Sequence, residues 1–130
     1  MNGAISNYDI LHTGNIANYS SKVVAGVYTG NGTSGYVHQS SLTFDFVPKL
    51  IFISSGPATI TSSMRNTNAI LHPMAGSGMM WYNENSSGSD HQEELNVSLN
   101  GNTVNWYHYS QYPQYQLNYQ NIVYNYVAIG

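Results

Sequence analysis

The stretch Leu95-Asn96-Val97-Ser98-Leu99-Asn100-Gly101-Asn102-Thr103-Val104-Asn105-Trp106 decides the fold. Leu95, Val97 and Leu99 alternate with Asn96 and Ser98, which puts the apolar side chains on one face of a strand, because successive strand residues point to opposite sides. Asn100-Gly101 interrupts the pattern, and Val104 and Trp106 answer it on the far side. An Asn-Gly pair between alternating runs predicts a tight hairpin with a type I′ turn, since both residues accept positive φ. Tight hairpins join antiparallel strands, so the sheet expected here is antiparallel.

Outward from this hairpin the same period of two recurs. Leu42, Phe44 and Phe46 share one face opposite Thr43 and Asp45 until Pro48 interrupts, and Leu50-Ile51-Phe52-Ile53 reads as a strand buried on both faces. Residues 22–28, 69–74, 79–83 and 123–129 bring the expected set to about seven or eight short strands. Residues 29–34 and 85–90 are dense in Gly, Asn and Ser and read as turns. Nowhere do apolar residues recur at helical spacing over three turns. The expected architecture is an antiparallel β-sandwich over residues 21–130, preceded by a polar, Asn-rich extended lead-in or stalk segment over residues 1–20.

Composition narrows the function. The chain holds twelve tyrosines, seven of them from Tyr107 to Tyr126, while charged residues make up 7% against the roughly 25% of an average protein. With Lys22, Lys49 and Arg65 as its cations and a formal charge of −3, it cannot neutralise a run of phosphates, which argues against nucleic acid and anionic membrane surfaces as partners. Cysteine is absent, so disulfides and thiolate metal sites are excluded. No apolar run approaches the roughly 20 residues of a spanning helix. Residues 1–19 lack the basic start and apolar centre of a secretion signal, so synthesis in the cytoplasm is expected.

A tyrosine offers a flat apolar ring, a hydroxyl and little side-chain entropy, which suits neutral, ring-shaped ligands or another protein. The segment Trp106-Tyr107-His108-Tyr109-Ser110-Gln111-Tyr112-Pro113-Gln114-Tyr115 starts on the hairpin's second strand and runs into a loop. Sugars present C–H faces to rings and hydroxyls to amides, so Trp106, Tyr107, His108, Tyr109, Tyr112 and Tyr115 form a candidate saccharide site, Tyr112 and Tyr115 foremost. Against this stands the reading that Trp106, Tyr107 and Tyr109 alternate across a sheet, filling the core on one side and a subunit interface on the other. Trp81, in Met79-Met80-Trp81-Tyr82, is a further ligand candidate in a patch whose methionines suit core filling.

Glu84, Asp90, Glu93 and Glu94 fall in residues 83–94, which read as a solvated acidic loop without calcium-loop spacing. His12, His38, His72, His91 and His108 show no His-x-His or His-x-x-x-His spacing, so no metal and no cofactor is expected. Nothing resembles a nucleophile elbow or a facing carboxylate pair, and the expectation is a protein that binds without catalysing.

Several patches also carry a family resemblance. Tyr8-Asp9-Ile10-Leu11-His12-Thr13-Gly14-Asn15, Gly26-Val27-Tyr28-Thr29-Gly30-Asn31-Gly32, the run from Leu42 through Pro48-Lys49 to Ile53, Gln116-Leu117-Asn118 and Tyr124-Asn125-Tyr126-Val127-Ala128-Ile129-Gly130 resemble elements of the terminal domains of bacteriophage and prophage tail fibres. The resemblance implies an H-type-lectin-like β-sandwich, a homotrimer at the tip of a virion's tail fibre, and recognition of a host cell-surface glycan. It also leaves open a terminal module that trimerises a fibre and binds no ligand of its own. The matched patches fall on scaffold, and the loop tyrosines lie between them.

Overall fold

The computed structural model describes residues 22–130, and the lead-in expected over residues 1–20 lies outside them. Eight strands follow in order: β1 (Val23–Thr29), β2 (Ser40–Thr43), β3 (Leu50–Ser54), β4 (Met64–His72), β5 (Ser77–Glu84), β6 (Asp90–Asn100), β7 (Thr103–Tyr107) and β8 (Val123–Ile129). They pair antiparallel throughout, in one continuous sheet ordered β1-β8-β3-β4-β5-β6-β7-β2. The sheet curls into an open half-barrel, so that its two ends approach across the core. Tyr28 of β1 stacks on Tyr124 of β8 at 5.2 Å and meets Trp106 of β7 edge-on at 6.1 Å. Phe44, just past β2, meets Tyr126 of β8 at 5.9 Å.

The β6–β7 hairpin forms where the sequence predicts it, with Leu99 opposite Val104 and Val97 opposite Trp106. Its turn sits one residue later than expected. Asn100 pairs with Thr103, so Gly101 and Asn102 are the central residues, and of these Gly101 alone has positive φ, at 61°. A positive φ at the first central position only is the pattern of a type II′ turn, not the expected type I′.

Three other expectations change. Leu42, Phe44 and Phe46 do share the inner face, but β2 stops at Thr43, and the chain bends through Asp45 and Phe46 toward Pro48. That bend lets Phe46 pack beside Phe44 and against Gly130. β3 is buried on one face only: Ile51 and Ile53 are sealed, whereas Phe52 is 42% exposed, because no second layer covers the outside of the sheet among the described residues. The acidic stretch 83–94 is mostly strand. β5 runs to Glu84 and β6 starts at Asp90, leaving a short turn between them.

The core lies on the inner face, where Ile51, Ile53, Leu71, Met80, Val104, Trp106, Leu117 and Tyr124 are fully buried. At about 1.5–3 kcal/mol per buried large apolar side chain, this face supplies most of the drive to fold. Part of the outer face is apolar as well. Cross-strand pairing sets Ala25, Val127, Phe52, Ile70 and Met79 side by side in one row over five strands. Val127, Phe52 and Met79 in that row are exposed.

Candidate functional site

At the end of β7 the period of two continues past the last paired residue. Trp106 and His108 point inward and are each 1% exposed, while Tyr107 is half-buried on the outside and Tyr109 is 71% exposed. Trp106 is thus a core residue, its indole N–H donating to the Gln116 carbonyl at 2.9 Å. Tyr107 stands apart from the other candidate tyrosines, edge-on to Tyr36 at 5.5 Å. Trp81 is half-exposed on the outer face, opposite Asn68 on one side and Gln92 on the other.

Around His108 the fold gathers the remaining candidates. Its ring lies 4.6 Å from that of Tyr109 and 5.1 Å from that of Tyr115, and Tyr115 in turn meets Tyr112 at 6.1 Å and Tyr82 at 5.9 Å. Tyr82 stacks on His91 at 5.1 Å. Tyr109 and Tyr112, at 71% and 56% exposure, display their rings to solvent; Tyr115 is half-buried and supports them. Burial pushes the Tyr82 hydroxyl up to about 12, with the Tyr115 hydroxyl adding to the effect.

Hydrogen bonds fix the His108 ring. Its Nδ1 accepts from the Ser110 backbone N–H at 3.1 Å and lies 2.6 Å from Ser110 Oγ, so the bonding pattern assigns the ring proton to Nε2, which donates to Glu93 Oε2 at 3.2 Å. Carboxylate, imidazole and hydroxyl in this order also occur in nucleophile relays. Here the same Nδ1 lone pair takes the N–H of Ser110 itself, two residues on, which makes the contact the closure of a turn that aims Tyr109 outward.

Tyr109 borders a groove of about 440 Å³ on the outer face, lined with it by Met79, Gln92, Glu93, Glu94 and Asn96. Both Glu93 and Glu94 thus border the groove, but their side chains have different partners. Glu93 turns to His108, and Glu94 lines the groove beside Met79. Glu84 accepts from Ser87 Oγ at 2.9 Å and lies 3.4 Å from His91 Nε2, contacts that hold its carboxyl below the usual range, the Ser87 bond first. Asp90 accepts from the Asn83 amide. Among the described residues, no three His, Asp or Glu side chains gather into a metal-binding group.

What holds this display in place is the loop from residue 108 to 122, and its anchor is an amide. Gln116 is fully buried, its Oε1 accepting from Gly35 N–H at 2.8 Å and His108 N–H at 3.3 Å, its Nε2 donating to the His38 carbonyl at 2.9 Å and Ser40 Oγ at 3.1 Å. Asn118 repeats the device. Its Nδ2 donates to Asn31 Oδ1 at 2.7 Å and the Thr33 carbonyl at 2.8 Å, and its Oδ1 accepts from Asn31 N–H at 3.1 Å. Leu117 between them holds φ at 55°, a conformation costly for a residue with a Cβ, and it is sealed in the core. Tyr28 O–H donates to the Leu117 carbonyl at 2.8 Å, and Gly30 packs so closely on the Asn118–Tyr119 backbone that no side chain fits there. Gln116 and Asn118 are the functional positions that the sequence reading took only as scaffold motif. The available signal was two amides flanking a leucine in a loop, where a buried backbone needs partners.

Compared with protein-family models, with curated proteins and with solved structures, the chain matches none.

Proposed function

We propose that this chain is the receptor-binding tip domain of a bacteriophage tail fibre, gripping a host cell-surface saccharide without chemical change to it. The observation that carries the binding reading is Tyr109: its ring stands 71% exposed at the rim of the groove formed by Met79, Gln92, Glu94 and Asn96. Such a site offers a sugar one ring for its C–H face and amides and a carboxylate for its hydroxyls. Tyr112 extends the platform, Tyr115 and His108 support it from below, and neither metal nor cofactor has a part in the proposal.

The fibre-tip reading is supported by how the resembling patches meet. Tyr28 bonds Leu117, Asn31 bonds Asn118, Tyr28 stacks on Tyr124, and Gly130 abuts Phe46, so segments far apart in sequence form one scaffold. On this reading the curled sheet is the H-type-lectin-like sandwich, and the domain sits on the virion as a homotrimer. Weak single contacts then add through multivalency. A glycan array probed with the wild-type chain and with Tyr109→Ala tests the site. Binding that the substitution abolishes is expected; glycan binding indifferent to Tyr109 and Tyr112 overturns it.

One observation favours a second reading, a structural module that ends a fibre. The outer row Ala25, Val127, Phe52, Ile70 and Met79 is an apolar face that a neighbouring subunit would cover. Solution mass together with the solvent accessibility of Tyr109 separates the two. A trimer with Tyr109 shielded favours the structural module, and a trimer with Tyr109 open favours recognition.

A further inference from the structure

Between the two ends of the sheet lies a second cleft, of about 250 Å³, which shares no lining residue with the Tyr109 groove. β1 and β2 are the terminal strands of the sheet, so each turns an edge without a strand partner among the described residues toward this opening. Its floor is made by Tyr28 and Trp106. Both have their polar tips engaged beneath, the Tyr28 hydroxyl on the Leu117 carbonyl and the Trp106 N–H on the Gln116 carbonyl, so neither offers a free polar group, and the half-buried Tyr28 supplies the ring carbon above the sealed Trp106.

The walls carry hydroxyls and amides and no charged side chain. Asn118 closes one end with its amide already committed to Asn31 and Thr33. Thr29 of β1, Gln39 just before β2 and Ser41 of β2 line the cleft from its two sides and make no side-chain hydrogen bond among the described residues. An ion entering here would leave water without a counter-charge, which is costly, whereas a neutral polyol exchanges hydrogen bonds with little loss. The volume is below the roughly 300–1,000 Å³ of drug-sized pockets, which limits the occupant to a single ring.

We propose that this edge cleft is a binding site for one neutral, polyhydroxylated ring, held by Thr29, Gln39 and Ser41 over the Tyr28–Trp106 floor. It is separate from the Tyr109 groove and does not depend on it. Two sites on one domain let a saccharide chain, or two neighbouring chains, be engaged at two points.

The two tryptophans provide the test, because Trp106 lies under the cleft and Trp81 lies on the outer face. ¹⁵N-resolved NMR of the whole chain is recorded during titration with D-glucose, D-galactose and N-acetyl-D-glucosamine, each carried well into the millimolar range expected of weak sites. The expected result with at least one of them is a shift of the Trp106 indole N–H and of the Thr29 and Ser41 amides, with the Trp81 indole unmoved. The paired substitution Thr29→Val and Ser41→Ala should weaken that response at least tenfold while keeping the dispersed spectrum of a folded chain. Tyr109→Ala should leave it intact, so that failure of the groove and failure of the cleft are told apart. Silence at Trp106, Thr29 and Ser41 with all three sugars, or shifts that survive the paired substitution, overturns the proposal. So does a response to extended peptides alone, which would make the opening a site for strand addition.

Discussion

Two neighbouring pieces of one loop treat polar side chains in opposite ways. Tyr109-Ser110-Gln111-Tyr112 displays its rings, at 71% and 56% exposure, whereas Gln116-Leu117-Asn118 is buried throughout. Mean polarity would assign them the other way, since a phenol ring is more apolar than an amide. The difference teaches that burial here follows hydrogen-bond capacity. An amide brings two donors and two acceptor lone pairs, and where the backbone of residues 31–40 needs partners, Gln116 and Asn118 can supply them, Gln116 with none left over. A phenol needs only one partner and can be left in water at little cost.

The sharpest way to break the comparison is Gln116→Leu, which keeps volume and deletes four hydrogen bonds at once. With the buried N–H groups of Gly35 and His108 losing their partner at about 1–3 kcal/mol each, a loss on the order of 2–6 kcal/mol is expected in urea unfolding. A loss under about 1 kcal/mol would show that the amide is incidental. A second, smaller effect appears in alkali. Burial raises both Tyr82 and Tyr124 to about 12, so between the unfolded value of 10.0 and about 12 the unfolded chain releases protons first and stability falls as pH rises; below 10 the contribution is fully present. Burial raises the Tyr28 hydroxyl as well, so ultraviolet titration should find Tyr28, Tyr82 and Tyr124 ionising only in strong alkali, and ionisation of these three near the unfolded value would contradict the packing. The smallest effect belongs to the display itself: Tyr112→Ser should change stability by no more than about 0.5 kcal/mol in the same urea assay, as for other exposed positions.

How far the sequence could be read follows from the same contrast. Alternation showed the all-β class, the hairpin and β8, because a period of two is imposed by the strand backbone whatever lies around it. Alternation also runs through Tyr109, two residues past the end of β7, but it was not followed to His108, a ligand candidate in the sequence that the structure turns inward beside Trp106. It could not say whether anything covers the outer face, so Phe52 was expected inside and stands partly in water. It could not place the turn either: Asn100-Gly101-Asn102 offers two frames, and the register of Asn100 with Thr103 chose between them. The acidic residues looked like a loop because Ser and Gly surround them, yet the pairing of Tyr82 with His91 draws them into β6. Of the candidate site, the loop tyrosines were legible by composition. Their support was not, since the contacts of Gln116 span 76 to 81 residues of chain to reach Gly35, His38 and Ser40.

The place of β8 in the sheet carries a consequence for how the molecule is made. β8 lies between β1 and β3, so β1, the earliest of these strands to leave the ribosome, has no strand to pair with among the described residues until residues 123–129 follow it out. Hairpins such as β6–β7 can close during synthesis, but the halves of the sheet are stitched together only afterwards. Nascent chains stalled before residue 123 should therefore hold β1 open to proteases and chaperones, and its protection should arrive in one late step.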